Sequence, residues 1–214
     1  HKRGFKQAIG KAPLRETMAA MFLRQCGYRG TETVLDPMCG SGTFVIEAAE
    51  IAAGLAPGRG RSFAFEQFAS FRPEIWAQMA SEQGRAVPDL CFMGADRDPN
   101  VIASARANAE RAGVGELTRF EADSVAELAR PLGPPGLIMV NPPYGGRIGK
   151  VSPLIGLYTA FGALLQVRFR GWRVGMVTSE AGLARASKLP FLANGPPVEH
   201  GGMKVRLYRT DPLP

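Results

Sequence analysis

Thr33-Val-Leu-Asp-Pro-Met-Cys-Gly-Ser-Gly-Thr43 is the stretch that decides the fold. Thr33 to Leu35 is a short apolar strand ending at Asp36, and an alanine-rich helix is expected from Thr43 to Ala53. Between them Pro37 to Gly42 form a turn with two glycines, whose missing Cβ atoms let backbone approach a ligand closely. A helix N-terminus attracts negative charge, and ligands of open α/β sheets bind at strand ends of this kind. Gly40-Ser-Gly42-Thr-Phe-Val lacks the third glycine of a dinucleotide fingerprint. No Gly-Lys-Ser/Thr follows, so it is not a phosphate loop either. An acid four residues before the first glycine suits a ligand that carries an amine. Alone, such a turn is an ordinary strand–helix connection, and its meaning depends on the rest of the chain.

Outward from this turn, strand-like and helix-like segments alternate, which predicts a mostly parallel sheet of about seven strands with helices on both faces. A first helix is expected after Lys11, with Pro13 near its start, Leu14, Met18, Met21 and Phe22 at helical spacing, and Gly27 as its stop. Residues 54–88 read as an insertion with a short helix from Pro73 to Gln83. Further strands are expected at Leu90–Asp96, Leu117–Glu121, Leu137–Val140 and Arg173–Thr178. Helices are expected from Asp98, as N-cap, to Ala112 and from Pro153 to Phe169. The end predicts an antiparallel hairpin pairing Pro190–Ala193 with Lys204–Tyr208. Residues 1–30 form a leading segment and helix packed on a catalytic domain of residues 31–214, as one domain overall.

The 214 residues suffice for a full core, because a domain of this size buries about 70% of the surface its unfolded chain exposes. Three cysteines without CxxC spacing argue against a disulfide scaffold, and two scattered histidines argue against a metal site. No apolar run approaches the roughly 18 residues of a membrane span, so a cytoplasmic protein is expected. The net charge of +7 is uneven: residues 1–30 carry +6, residues 31–144 carry −6 and residues 145–214 carry +7. Most of the bases are arginine, which forks onto phosphate and stacks on bases.

Two acids beyond the glycine turn sharpen its meaning. Asp96 ends the second strand, where a carboxylate accepts both hydroxyls of a ribose, and Asp123 follows the third, where it accepts from an adenine amine. Amine, ribose and adenine contacts on three successive strand ends describe S-adenosylmethionine better than NAD. The fourth strand runs into Asn141-Pro142-Pro143-Tyr144. Two prolines fix φ and remove two donors, leaving a rigid turn. The Asn141 side-chain oxygen and the Pro142 carbonyl then accept from one planar amino group. Acceptors on both N–H bonds favour a pyramidal nitrogen whose lone pair attacks a sulfonium methyl. Tyr144 offers a face on which an extruded base stacks, worth about 1–3 kcal/mol.

With these residues in place, the chain resembles the class I S-adenosylmethionine-dependent methyltransferases of amino groups. Within them it is similar to the catalytic domain of the THUMP-containing large-subunit rRNA guanine-N2 methyltransferases. The resemblance covers nearly the whole chain. It rests on His1-Lys-Arg-Gly-Phe5, Lys11-Ala-Pro-Leu-Arg-Glu-Thr17, Asp36 to Thr43, and Asn141 to Gly145 with Arg147 and Gly149. Ala64-Phe-Glu66, followed by Trp76, adds to it. The resemblance implies cofactor contacts from Pro13, Leu14, Thr17, Asp36, Pro37, Met38, Cys39, Gly40, Gly42, Thr43, Asp96, Arg97, Asp123 and Ser124. It implies that Asn141, Pro142, Pro143 and Tyr144 hold the target base. A THUMP-type RNA-binding domain would precede residue 1 in a longer protein.

The basic ends give the RNA its place: Lys2, Arg3, Lys6, Lys11, Arg147 and Lys150 are expected to rim the active-site mouth and hold phosphates. Ribosomal RNA is the expected substrate, with tRNA guanine-N2 and DNA adenine-N6 as alternatives, since the last shares the Asn-Pro-Pro-Tyr motif. A non-catalytic cofactor-binding subunit is the alternative of another class, and the intact Asn141–Tyr144 run speaks against it. Cys39 lies in the cofactor loop rather than at the target base. It therefore reads as a packed residue, not as the nucleophile of a pyrimidine carbon-5 methyltransferase.

Overall fold

A computed structural model describes residues 3–6, 14–81, 84, 85, 87, 90–144 and 151–214. Its seven strands are β1 (Val34–Asp36), β2 (Phe92–Ala95), β3 (Thr118–Glu121), β4 (Leu137–Val140), β5 (Arg173–Thr178), β6 (Val198–His200) and β7 (Met203–Arg209). They form one sheet in the order β3-β2-β1-β4-β5-β7-β6. The first five are parallel; β7 runs antiparallel to β5, and β6 antiparallel to β7. This is the mostly parallel sheet with an antiparallel C-terminal hairpin that the alternating pattern predicts. The chain moves from β1 outward to β2 and β3, then returns to β4 on the other side of β1. The glycine turn and Asn141 therefore leave neighbouring strands where the order reverses, the place where such sheets bind ligands.

Central strands of a parallel sheet are covered on both faces and read as continuous apolar runs. All four residues of β4 and all three of β1 are buried, Asp36 included. Around the sheet lie α1 (Glu16–Gln25), α2 (Thr43–Ala52), α3 (Pro73–Ser81), α4 (Pro99–Arg111), α5 (Val151–Arg168) and α6 (Ala181–Ala186). Helix α4 begins as its sequence dictates, with Pro99 in the first turn and the Asp98 carboxylate accepting the Asn100 N–H at 2.9 Å. Helix α1 packs on α2, and the buried Tyr28 hydroxyl donates to the Ala48 carbonyl of α2 at 2.9 Å. One apolar cluster runs from Leu14 to Leu213 and joins α1 to the sheet.

Two expectations are corrected. The first helix starts at Glu16 rather than just after Lys11, so Leu14 is buried in the approach to α1. The hairpin partner of β7 is Val198–His200, joined through Gly201 and Gly202 at φ 57° and 82°. The Pro190–Ala193 stretch contributes only a single bridge, from Phe191 to Thr210. Helix α6 was not anticipated; six residues are too few to show a period. Between α2 and β2, Phe63, Phe65, Phe71 and Trp76 pack ring against ring at centroid distances of 5.2–5.9 Å.

Candidate active site

The glycine turn is built by backbone conformation. Gly42 is the N-cap of α2 at φ 81°, and Gly40 stands at φ 53°, both in the left-handed region that glycine adopts freely. A Cβ on Gly42 would lie 2.9 Å from the Phe120 ring, whereas one on Gly40 would meet nothing within 4 Å. Gly42 is thus packed inward and Gly40 faces open space. No side chain caps α2, and its first turn carries no acid.

Asp36 closes β1 beneath this turn and accepts the Met38 N–H at 3.1 Å. It is 2% exposed, and burial pushes its carboxyl well above the usual carboxylate range, with the nearby Asp96 charge adding to the effect. Asp96 braces the turn from the neighbouring strand end. One oxygen accepts the Gly40 N–H at 3.1 Å and the other accepts the Asp98 N–H at 3.1 Å. Each carboxylate oxygen retains a second lone pair for a ligand hydroxyl. The structure thus brings Asp36, Gly40 and Asp96 together.

Asp123 and Arg97 are exposed at the β3 and β2 ends of the same edge. Ser124 is engaged locally: its hydroxyl accepts the Ala126 N–H at 3.2 Å as the cap of a short 3-10 turn. Pro37 and Met38 line the turn, Thr43 opens α2, and Thr17 is exposed on α1. The Cys39 thiol is buried and its pKa is pushed well above that of a free thiol by desolvation and by Asp36 and Asp96. A thiol held protonated is a poor nucleophile, in line with a packing role.

At the end of β4 the Asn141 Oδ1 is buried with no donor within reach among the described residues. A buried acceptor left unmatched costs about 1–3 kcal/mol, so a donor is required at this position. The Pro143 carbonyl accepts from the Tyr158 hydroxyl of α5 at 3.3 Å, with Thr178 Oγ1 at 3.5 Å from the same hydroxyl. Tyr158 was not anticipated as a site residue; it carries no motif and reads as one more apolar position of α5. Tyr144 is 8% exposed and packs in the core cluster, so the stacking face expected of it is covered in this conformation.

The expected basic rim is corrected in part. Arg3 is buried, its Nε 2.6 Å from Glu47 of α2. Lys6 donates to the Leu14 carbonyl at 2.9 Å and to the Thr43 hydroxyl at 2.6 Å. Both cations are turned inward and are not placed to hold phosphate. The signal that could have shown this is Glu47 and Glu50, two carboxyls on an otherwise apolar helix that require partners. Pro13, Lys2, Lys11, Arg147 and Lys150 lie outside the described residues. Among the described residues no group of three or more His, Cys, Asp or Glu could hold a metal ion, and no helix is long and apolar enough to cross a membrane.

The chain is similar to known proteins over nearly its whole length. The chain is 45% identical over 208 residues to "Ribosomal RNA large subunit methyltransferase K/L" of Vibrio campbellii, covering 91% of this chain and 29% of that protein. It therefore spans under a third of the length of that relative. Among solved structures, SMU.472, determined in complex with SAH (S-adenosylhomocysteine), superposes with a TM-score of 0.90 at 27% identity, over 100% of this chain and 56% of the other. A protein from Listeria monocytogenes, described as a predicted N6-adenine-specific DNA methylase, has a TM-score of 0.83 at 30% identity, over 98% and 54%. Residues 3–192 match the RMKL-like methyltransferase domain, UPF0020; the chain belongs to this family of S-adenosylmethionine-dependent methyltransferases.

Proposed function

We propose that this domain transfers a methyl group from S-adenosylmethionine to the exocyclic N2 amino group of guanine in RNA, namely 23S ribosomal RNA. The observation that carries the reading is Asn141 Oδ1, a buried acceptor without a donor among the described residues, at the end of β4 beside the glycine turn. The Vibrio relative, named as a large-subunit rRNA methyltransferase, supports RNA as the substrate class.

The cofactor supplies an electrophilic methyl on a sulfonium sulfur. Asp36, buried beneath the glycine turn, would take the amine of the methionine portion. The buried carboxyl ionises when that cation arrives, because an opposite charge offsets the desolvation that raises its pKa. Asp96 takes the ribose hydroxyls while holding the Gly40 N–H, and Asp123 takes the adenine amine. Gly40 leaves the space above the turn open, and Pro13, Leu14 and Thr17 would contribute contacts to the methionine portion.

Asn141 Oδ1 and the Pro142 carbonyl accept the two N–H bonds of the target amine and draw its nitrogen toward a pyramidal shape. The lone pair forms the new N–C bond, the S–C electron pair returns to sulfur, and one N–H proton is lost to solvent. Pro143 holds the turn with its carbonyl tied to Tyr158. Arg147 and Lys150 bind flanking phosphates, and a THUMP-type domain of a longer protein docks the RNA.

A second reading is adenine N6 of DNA, favoured by the description of the Listeria structure. Labelling rRNA, tRNA and duplex DNA with methyl-tritiated cofactor, followed by nucleoside analysis, separates the two. N2-methylguanosine in rRNA is expected; label confined to DNA as N6-methyladenine overturns the RNA reading. Asn141→Ala is expected to lower kcat about 100-fold or more, the scale of losing one preorganised polar contact to the reacting group, while S-adenosylhomocysteine binds as before.

A further inference from the structure

Thr43, Glu47 and Glu50 lie on one face of α2, at the i, i+4, i+7 spacing of a single stripe. All three are buried, and each meets a cation. Lys6 donates to the Thr43 hydroxyl at 2.6 Å, Arg3 lies 2.6 Å from Glu47, and Arg59 lies 2.6 Å from Glu50. The segment carrying Arg3 and Lys6 is held on its other side as well. The Arg111 Nε of α4 donates to the Phe5 carbonyl at 2.9 Å, and the Arg59 guanidinium sits 4.7 Å above the Phe5 ring. Residues 3–6 are thus strapped across α2 and the end of α4.

Lys6 is the member of this strap that reaches the glycine turn. Its ammonium joins the first residue of α2 to the Leu14 carbonyl, in the approach to α1. One charged group thus bridges two backbone segments beside the turn. Burial lowers the pKa of Lys6, and the neighbouring Glu16 and Glu47 oppose that fall. A charge-assisted hydrogen bond of this kind is about twice as strong as a neutral one.

We propose that Lys6 is a positioning residue for the methyl donor, setting the separation between Leu14 and Thr43 on either side of the methionine portion. The proposal rests on the reading of Asp36–Thr43 as the cofactor turn. It gives the inward-facing cation a role in cofactor affinity rather than in RNA binding.

Calorimetric titration of S-adenosylhomocysteine into the wild-type domain, Lys6→Met, Thr43→Val and the double variant tests it. Each single change is expected to weaken binding about 5- to 20-fold. The double variant is expected to be no worse than the weaker single, because both remove the same bond. In methyl transfer, Lys6→Met is expected to raise KM for the donor with kcat within about twofold of wild type. Lys6→Arg, which keeps the charge and the donors, is expected to restore part of the affinity.

Unchanged affinity in Lys6→Met, with or without a fall in thermal stability, overturns the proposal, as do strictly additive losses in the double variant. If Lys6→Met fails to fold, Thr43→Val decides alone: it removes the acceptor, and wild-type affinity in it also overturns the proposal. Asp96→Ala distinguishes the layers of the argument. If it weakens binding while Lys6→Met does not, only the role of Lys6 fails. If neither does, the cofactor turn itself is misassigned.

Discussion

Glu47 shows how a single buried group ties folding to proton uptake. Burial and the adjacent Glu50 carboxyl push its pKa up to about 9, against the pull of Arg3. A carboxyl whose folded pKa exceeds its unfolded value stabilises the native state most below the unfolded pKa, and that contribution is lost as pH rises toward the folded one. Stability is therefore expected to decline between about pH 5 and pH 9, with a slope of up to about 1.4 kcal/mol per pH unit from this group. Glu47→Gln stays neutral throughout, so its urea-unfolding free energy is expected to fall less steeply over that range. An unaltered slope in the variant means that another group carries the pH dependence. Gly42 is the complementary case, where backbone conformation and packing coincide. Gly42→Ala places a Cβ at φ 81° and 2.9 Å from the Phe120 ring. A loss of about 2 kcal/mol or more in unfolding free energy is expected, since the left-handed conformation alone costs roughly 1–2.

At the level of elements, the Asn141–Tyr144 turn is held by α5 through Tyr158. Tyr158→Phe removes the hydroxyl that reaches Pro143 and is expected to lower stability by about 1 kcal/mol. It is also expected to lower kcat more than it changes affinity for S-adenosylhomocysteine, as measured by methyl transfer beside calorimetry. Equal losses in both would place Tyr158 in the core alone. The elements that sequence patterning made legible are those whose environment is uniform. β4 is buried on both faces and reads as Leu-Ile-Met-Val, and α4 has Asp98, Pro99 and Gly113 to mark its ends. β6 was hidden because Val198-Glu-His200 is neither alternating nor apolar, although Gly201-Gly202 is a strong two-residue hairpin signal. The acids Asp36 and Asp96 were legible because each sits at a strand end. Arg3 and Lys6 were not, because composition records a charge without recording which way it points. Tyr158 acts through a single hydroxyl on a long helix, and no local pattern announces such a contact.

Across the whole molecule, the excess of positive charge does not translate into a uniform phosphate-binding face. Arg3, Arg59 and Arg173 are paired with Glu47, Glu50 and Glu32, and Lys6 is turned toward the glycine turn. RNA affinity measured against salt is therefore expected to keep its slope in Lys6→Met. In Arg147→Ala, at a proposed phosphate contact, the log–log slope is expected to fall by about 0.7 to 1. The reverse pattern would return Lys6 to the RNA-facing rim.

The position of β7 sets a condition on how the sheet is completed. It lies between β5 and β6, and its pairing with β5 joins Gly175–Thr178 to Arg206–Arg209. During synthesis on the ribosome, β5 emerges some thirty residues before the strand that covers its outer edge. Through that interval its N–H and C=O groups are open beside buried Val174, Met176 and Val177, the combination that invites pairing with another chain. A nascent domain of this kind is exposed to misassembly at one predictable moment, and shielding by a chaperone would matter most there. A chain cut after residue 192 would remain in that state permanently, although it retains the glycine turn, Asn141 and Tyr158.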